Sequence, residues 1–168
     1  MSTIENDLLL ERQLCFGLSV ASRSVIAAYK PVLAAMRLTH PQYLVMLALW
    51  EHAPRRVKDL SQTLLLESAT LSPLLQRLEI LGYVSRGRDT ADERALAVDL
   101  TETGAALREQ ALSVPGTMMA RLGLDRETAL ALHHRMMALI DAATHADDLS
   151  APMGTDVQDE AMHGMTDN

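Results

Sequence analysis

The sequence is short of the residues and runs that several protein classes require. It holds one cysteine, Cys15, among 168 residues, so no disulfide can form within one chain and the thiol fits a reducing compartment. No run of about 18 apolar residues occurs, which argues against a transmembrane helix. The acidic N-terminus MSTIENDLLLERQ lacks the basic region typical of a secretory signal. We therefore expect a cytoplasmic protein without a membrane partner.

Aromatic residues are also scarce, at 3% of the chain, whereas hydrophobic residues make up 48%. A core of this composition must be built mainly from Leu, Ala, Val and Met, which suits packed helices better than a β-sandwich. A chain of 168 residues has the size of one compact domain with appendages. The composition therefore predicts a mainly α-helical fold.

Positive charge is missing from one region rather than from the whole chain. The formal net charge is −7, which taken alone argues against a nucleic-acid partner. Residues 141–168 contain no Lys or Arg and hold seven acids, equal to the whole excess, so residues 1–140 sum to zero. Because affinity for a polyanion depends on where the charges lie, the acidic total does not exclude DNA.

Apolar spacing, capping residues and breakers predict helices around one hairpin. Lys30-Pro31 is expected to interrupt the first helix, and Thr39 with Gln42 forms a capping-box pattern at the start of another. Thr101 is expected to cap a later helix, after which residues 114–116 interrupt or kink the chain. The predicted helices are 7–28, 39–51, 57–65, 68–81, 101–113 and 124–145, with a short helical piece at 32–38 and strands at 83–88 and 95–100.

The predicted helix 68–81 has two distinct faces. Ser68 or Thr70 is expected to cap its start, and Gly82 to end it. Its apolar face carries Leu71, Leu74, Leu75 and Leu78, and its opposite face carries Ala69, Ser72, Pro73 and Gln76, flanked by Thr70 and Arg77. A short, polar face that is almost free of acids suits base edges and phosphates in a major groove.

The hairpin after this helix carries arginines that suit a DNA wing. Arg86, Arg88 and Arg94 are its cations, and Asp92 stands where it can brace Arg94. An arginine at a hairpin tip can enter the minor groove, where A·T tracts deepen the negative potential. The alternative is a solvated hairpin with paired charges. Two helices joined by a tight turn and followed by such a hairpin predict a winged helix-turn-helix that binds double-stranded DNA.

Three stretches resemble the MarR family of transcriptional regulators, and specifically its organic-hydroperoxide-sensing OhrR branch. They are LCFGLSVASR, LTHPQYLVMLALWE and SATLSPLLQRLEILGYVSRGRDTADERALAVDLTETG. The resemblance covers residues 8 to about 145 and implies an intertwined helical homodimer on an inverted-repeat operator. It implies dimerisation regions at 1–38 and 101–148, a winged domain at 39–100, and leaves an acidic tail at 149–168 that we expect to be disordered. By the same resemblance, Ser68, Thr70, Ser72, Gln76 and Arg77 lie at the groove and Arg94 at the wing tip.

Cys15 has two interpretations. A lone cysteine among Leu, Phe and Val usually packs as a small hydrophobe, and an apolar neighbourhood disfavours the reactive thiolate. The resemblance instead implies a redox sensor, in which tyrosine hydroxyls converge on the thiol, partly from the partner chain. Tyr29 matches one such tyrosine, whereas Ser19 and His40 stand where two others are common. A charged His40 imidazolium is one way to replace the missing phenols; a solvated histidine is the alternative.

The resemblance also implies a chemistry. The thiolate attacks an organic hydroperoxide, becomes a sulfenic acid and condenses with a thiol or a backbone nitrogen. Since the chain has no second cysteine, the resemblance implies that a low-molecular-weight thiol resolves Cys15 and that the protein is a one-cysteine repressor rather than an enzyme. The alternatives are a regulator controlled by a non-covalent aromatic or phenolic ligand, and a thiol peroxidase. His133, His134 and His145 do not make a convincing metal set, and no cofactor is expected.

Overall fold

A computed structural model describes residues 8–88 and 96–148 of the chain, with side chains up to 145. Two compact units divide the chain after Leu124, and each is described by itself. The first unit contains helices α1 (Leu14–Leu33), α2 (His40–Glu51), α3 (Val57–Leu64), α4 (Ser68–Ile80), α5 (Glu102–Ala111) and α6 (Val114–Leu122), and strands β1 (Arg55–Arg56), β2 (Val84–Arg88) and β3 (Leu96–Leu100). The second contains helix α7 (Arg126–Asp148).

The predicted fold class is confirmed, since the first unit is a helical assembly with a small β wing. Its three strands form one antiparallel sheet in the order β1-β3-β2. The hairpin pairs Val84 with Leu100 and Arg88 with Leu96. Strand β1, which the sequence analysis missed, pairs Arg55 with Val98. Two residues are too few to show the alternation that predicts a strand.

The core lies among α2, α3, α4 and the wing, and the end of α1 with α5 and α6 completes it. As the composition predicted, it is mainly aliphatic. Burying such side chains stabilises the fold by roughly 1.5–3 kcal/mol each. The fully buried side chains of largest volume are Leu33, Met46, Leu49, Leu60, Leu71, Leu75 and Leu78, with Val45, Val84, Val98 and Val114.

The first helix differs from the prediction at both ends. It begins at Leu14 rather than at residue 7, after a 3-10 turn at Leu10–Arg12. It then continues through Pro31 to Leu33, so the predicted interruption at Lys30-Pro31 is wrong. Proline lacks the N–H that would pair with the carbonyl four residues earlier. That loss is tolerated here, two residues before the helix end, where fully buried Leu33 anchors the last turn.

The predicted caps are partly correct. The Thr39 N–H donates to Gln42 Oε1 at 2.9 Å, and the Gly104 N–H donates to Thr101 Oγ1 at 3.0 Å. Helix α4, however, is capped by neither Ser68 nor Thr70, because both already lie in its first turn; the Thr70 N–H donates to the Glu67 carbonyl at 2.9 Å. The predicted end at Gly82 is confirmed by its φ of 75°, a conformation that glycine adopts without strain.

Residues 114–116 start a helix instead of only interrupting one. Pro115 lies in the first turn of α6, where its missing N–H would have no intrahelical partner. Gly123, with a φ of 64°, ends the helix. The sequence predicted a break at these residues, but not the nine-residue helix α6 that begins there.

A tight joint connects the wing base to the helices around it. A Cβ on Gly104 would lie 1.9 Å from the Tyr83 carbonyl oxygen, so only glycine fits there. The Trp50 Nε1–H donates to the Gly104 carbonyl at 2.8 Å, and the Tyr83 hydroxyl donates to the Met36 carbonyl at 3.1 Å. The Thr101 hydroxyl donates to the Gly82 carbonyl at 2.6 Å. These bonds tie the wing to α2, to α5 and to the 3-10 turn Ala34–Met36 that follows α1.

Helix α7 is described by itself. It begins after Asp125, whose Oδ1 accepts a hydrogen bond from the Thr128 N–H at 2.7 Å. That bond lowers the pKa of Asp125, as expected for a carboxylate bound by backbone N–H groups. Apolar side chains of α7 remain 40–50% exposed, namely Leu130, Leu132, Met137 and Ile140. The tail at 149–168 lies outside the described residues.

No single helix in the described ranges is long and apolar enough to cross a membrane. The segments Leu14–Met36 and His40–Glu51 meet that test only when taken together, and they are bent by 65°.

Candidate DNA interface and thiol site

Helix α4 presents the two faces that its sequence predicts. Leu71, Leu75 and Leu78 are buried, and Leu74 is partly buried. The side chains assigned to the opposite face are all exposed: Ser68, Ala69, Thr70, Ser72, Pro73, Gln76 and Arg77. One turn of chain separates α3 from α4, and its Leu65 adopts a left-handed conformation with a φ of 50°. The exposed face of α4 is therefore small, polar and open to solvent.

The wing arginines have different surroundings. Arg86 Nε donates to Glu79 Oε2 at 2.9 Å, so this guanidinium is held against the end of α4. Arg88 is exposed, and within the described residues no hydrogen bond or ion pair involves its side chain. Asp92 and Arg94, predicted at the wing tip, lie outside the described residues. Of the predicted wing cations, Arg88 is thus free to meet a phosphate and Arg86 is already engaged.

Cys15 is an exposed thiol in the first turn of α1. The late start of the helix at Leu14 places it there, whereas the predicted start at residue 7 would have put it mid-helix. N–H groups in a first helical turn lack intrahelical acceptors and favour a negative charge nearby. Ser19 lies one turn further along and is also exposed.

Tyr29 and His40 contact each other but are far from the thiol of the same chain. Their ring centroids are 5.0 Å apart in an edge-to-face arrangement, a favourable geometry for two rings. Tyr29 follows Cys15 by fourteen residues on the same helix, which is about 21 Å at 1.5 Å per residue. Within one chain, the structure therefore brings together Tyr29 and His40 and leaves Cys15 apart from them.

Burial changes the titration of these aromatic side chains. Desolvation lowers the pKa of His40 from its usual 6.5 and raises the pKa of Tyr29 and Tyr43. A lowered pKa favours the neutral imidazole at neutral pH. The charged imidazolium considered in the sequence analysis is thus disfavoured, and a neutral His40 remains able to donate one hydrogen bond.

Sequence reasoning missed the residues that extend this aromatic group. The Tyr43 ring lies 6.0 Å from Tyr29 and 6.3 Å from Trp50. Tyr43 and Trp50 are seven residues apart on α2, which is two helical turns, so their shared face was readable from the sequence. Together they line an open cleft of about 350 Å³ between α2, α5 and the start of α6, with Leu47, Glu51, Arg108, Ala111, Leu112 and Pro115.

Comparisons with known proteins agree on one family. A model of the family described as transcriptional regulator SarA/Rot matches residues 27–110. The chain is 44% identical over 130 residues to the organic hydroperoxide resistance transcriptional regulator of Bacillus subtilis (strain 168), covering 77% of this chain and 86% of that relative. It is 39% identical over 146 residues to the regulator TtmR of Methylorubrum extorquens (strain PA1), covering 87% and 72% of the two chains.

The solved structure of reduced AbfR bound to DNA is also similar. AbfR is a Staphylococcus epidermidis protein; the match has a TM-score of 0.69 and 30% identity, over 84% of this chain and 99% of that one. The chain belongs to the OhrR-like branch of the MarR family. This MarR protein is accordingly a winged-helix transcriptional regulator that binds double-stranded DNA, and its family is not one of enzymes.

The remaining side chains of this MarR protein add no metal centre to its described part. Among the described side chains, those of residues 8–88 and 96–145, no group of three or more from His, Cys, Asp or Glu could hold a metal ion. The rings of His133 and His134 lie 6.1 Å apart on α7. His145 Nδ1 lies 2.8 Å from the Asp141 carbonyl oxygen, so this imidazole contacts the backbone of its own helix.

Proposed function

We propose that this MarR regulator is a dimeric repressor that detects organic hydroperoxides by oxidation of Cys15 and then releases its operator. The observation that carries the proposal is the position of the only cysteine, exposed in the first turn of α1. An exposed thiol at the start of a helix is accessible to a peroxide in solution. The similarity to the Bacillus subtilis organic hydroperoxide resistance regulator supports the same function.

Exposed apolar side chains on α1 support a homodimer. Leu14 is 65% exposed, and Phe16, Val20 and Ile26 are 37–41% exposed. A soluble monomer rarely exposes so many apolar side chains along one helix, and a second copy would cover them. In such a dimer, Tyr29 and His40 of one protomer would approach Cys15 of its partner. These two side chains would supply the polar groups that Cys15 lacks within its own chain.

The DNA interface of the proposal consists of two elements from each protomer. The exposed face of α4 enters a major groove, with Gln76 and Arg77 as its longest polar side chains, and the wing follows the adjacent minor groove with Arg88 and Arg94. Two-fold symmetry then requires an inverted repeat with half-sites about one helical turn apart. Such a regulator acts where the bacterial chromosome lies, in the cytoplasm.

The proposed redox step balances with two small molecules. The Cys15 thiolate attacks the terminal oxygen of ROOH, the O–O bond breaks, and RO⁻ leaves as an alcohol after taking a proton. Sulfur is oxidised to the sulfenic acid and the peroxide is reduced. A low-molecular-weight thiol then forms a mixed disulfide with Cys15 and releases water, since the chain has no second cysteine. The adduct adds bulk at the dimer contact, where a coupling of about 1–3 kcal/mol to DNA binding is ordinary for allostery.

The decisive experiment measures DNA binding by the wild type and Cys15→Ser, each with and without cumene hydroperoxide and a small thiol. The probe is a duplex that the reduced wild type selects from a random pool. We expect both reduced proteins to bind, and only the wild type to dissociate after oxidation. Continued binding by oxidised wild type would exclude the proposal. Catalytic consumption of peroxide with the thiol as reductant would favour a peroxidase.

A second candidate function has one observation in its favour. The cleft beside Tyr43 and Trp50 is mainly apolar, and its charged side chains are Arg108 and Glu51. This combination suits an aromatic or phenolic ligand whose acidic group binds the Arg108 guanidinium. Under this alternative, ligand binding alone would release DNA. Release by aromatic acids from Cys15→Ser, together with loss of that release in Arg108→Ala, would establish it.

A further inference from the structure

Glu79 occupies a position that disfavours a carboxylate. It lies in the last turn of α4, where the carbonyl end of the helix dipole repels negative charge. The same helix presents the exposed polar face to which we assign DNA contacts, and a carboxylate beside phosphates weakens binding. An acid in such a place needs a compensating partner.

That partner is Arg86 on strand β2. Its Nε and Nη2 both donate to Glu79 Oε2, at 2.9 and 2.5 Å. The two side chains are 34% and 38% exposed, so the pair lies at the surface. The hydrogen bond from Arg86 lowers the pKa of Glu79, so the carboxylate is charged at neutral pH and the bonds are charge-assisted.

The register of the sheet places this pair at the rim of the core. Because successive side chains of a strand point to opposite faces, Val84, Arg86 and Arg88 share one face of β2. Val84, at the start of that face, is buried. Arg86 lies opposite fully buried Val98 of β3. The aliphatic stem of Arg86 therefore extends from the core edge towards the end of α4, and its guanidinium joins the wing to that helix.

We propose that Glu79 and Arg86 form a brace that sets the angle between the wing and helix α4, which makes Glu79 a positioning residue for DNA binding. The proposal rests on the DNA interface described under the proposed function. A half-site has a fixed distance between its major and minor grooves, so a protomer must present helix and wing together at one angle. The brace fixes that angle before DNA arrives and so reduces the ordering that binding requires.

Two rival roles for the pair predict other results. If Glu79 withholds Arg86 from a phosphate, removing the carboxylate frees a cation and tightens binding. It also steepens the salt dependence by about one phosphate contact. If the pair is an inert surface contact, removing one negative charge again tightens binding slightly or leaves it unchanged. Only the brace predicts that losing an acid from this DNA-binding surface weakens specific binding.

The test compares Glu79→Ala with Glu67→Ala. Glu67 is the residue that immediately precedes the same helix, and its side chain is exposed and makes no capping hydrogen bond. On the duplex selected by the wild type, we expect Glu79→Ala to bind about three- to tenfold more weakly, as for loss of a charge-assisted pair. Glu67→Ala should bind equally or more tightly. On a random-sequence duplex, Glu79→Ala should not bind more weakly than the wild type, and circular dichroism checks that both variants are folded.

A charge-reversed pair and two arginine variants complete the test. Glu79→Arg combined with Arg86→Glu should recover part of the specific affinity that Glu79→Arg alone loses. Arg77→Ala and Arg88→Ala report on the proposed interface itself. If these two arginine variants weaken binding while Glu79→Ala binds normally or more tightly, the proposed brace is wrong and the proposed DNA interface is supported. If neither arginine variant weakens binding, the interface is wrong and the brace fails with it.

Discussion

The winged segment and helix α1 cover their apolar side chains to very different extents. Helix α2, with twelve residues, buries six of them, among them Tyr43, Val45 and Met46. Helix α1, with twenty residues, buries only Leu33, near its junction with the winged segment. Both helices are rich in apolar residues, so composition does not explain the difference.

The difference separates two sources of stability. The winged segment finds its partners within the chain, through the aliphatic core and the bonds around Gly104. Helix α1 leaves Leu14, Phe16, Val20 and Ile26 exposed, and the homodimer proposed above would bury them. In the proposed homodimer, a thiol on such a helix would be well placed for a switch, since an adduct there would disturb the contact between copies while each winged core stayed folded.

The largest effect is expected at the joint of the winged segment, in Gly104→Ala. The new Cβ would lie 1.9 Å from the Tyr83 carbonyl oxygen, and backbone atoms would have to move. We expect a loss of about 3 kcal/mol in the free energy of unfolding, measured by urea denaturation. Gly116→Ala in α6 is the matched control, because its Cβ meets nothing within 4 Å; it should be neutral or stabilising by about 0.5–1 kcal/mol. Equal unfolding midpoints for the two variants would contradict the close contact.

A second prediction concerns α1 and leaves the winged core intact. Phe16→Ser combined with Ile26→Ser removes two exposed apolar side chains, and we expect the dimer dissociation constant to rise about tenfold or more. Sedimentation equilibrium measures the constant. Leu65→Ser, at a side chain that is 69% exposed in the winged segment, is the control and should leave it unchanged. If both variants dimerise like the wild type, the exposed face of α1 is not the contact.

The same comparison shows what the sequence could predict. Leucine spacing gave the buried face of α4, and Thr39-Gln42 and Thr101 gave two helix starts, because these signals lie within one or two turns of chain. The Glu79–Arg86 pair was not predictable in this way. Glu79 belongs to a helix and Arg86 to a strand, on either side of Gly82, so no single side-chain periodicity relates them. Only the packing of β2 on α4 brings them together.

The thiol site was predictable only in part. The resemblance singled out Cys15, Tyr29 and His40, but the state of His40 depends on burial between α1 and α2, which no local pattern gives. The start of α1 was misplaced because Leu8, Leu9 and Leu10 extend an apolar pattern that the structure exposes as a separate turn. Apolar spacing does not distinguish a helix that packs within the chain from a segment that does not.

A smaller effect is expected from backbone strain in the winged segment. Leu65 and Leu112 are both exposed, but Leu65 has a φ of 50° and Leu112 a φ of −59°. Glycine relieves strain at the first position and only adds chain entropy at the second. Leu65→Gly should therefore be neutral or stabilising by up to about 1 kcal/mol, whereas Leu112→Gly should cost about 1 kcal/mol. Thermal unfolding of the two variants would refute the strained turn if Leu65→Gly were the less stable.

The smallest predicted effect lies at His40, where α2 meets α1. Burial lowers the pKa of the folded His40 below 6.5, so the unfolded chain binds a proton more readily and stability falls as the pH drops below that value. We expect the melting temperature of the wild type to fall further between pH 7.5 and pH 5.5 than that of His40→Gln. His52→Gln, at an exposed histidine in the winged segment, should follow the wild type. If the wild type and His40→Gln lose stability equally, the imidazole is not desolvated by its contact with Tyr29, and the boundary between the two regions is more open than the structure indicates.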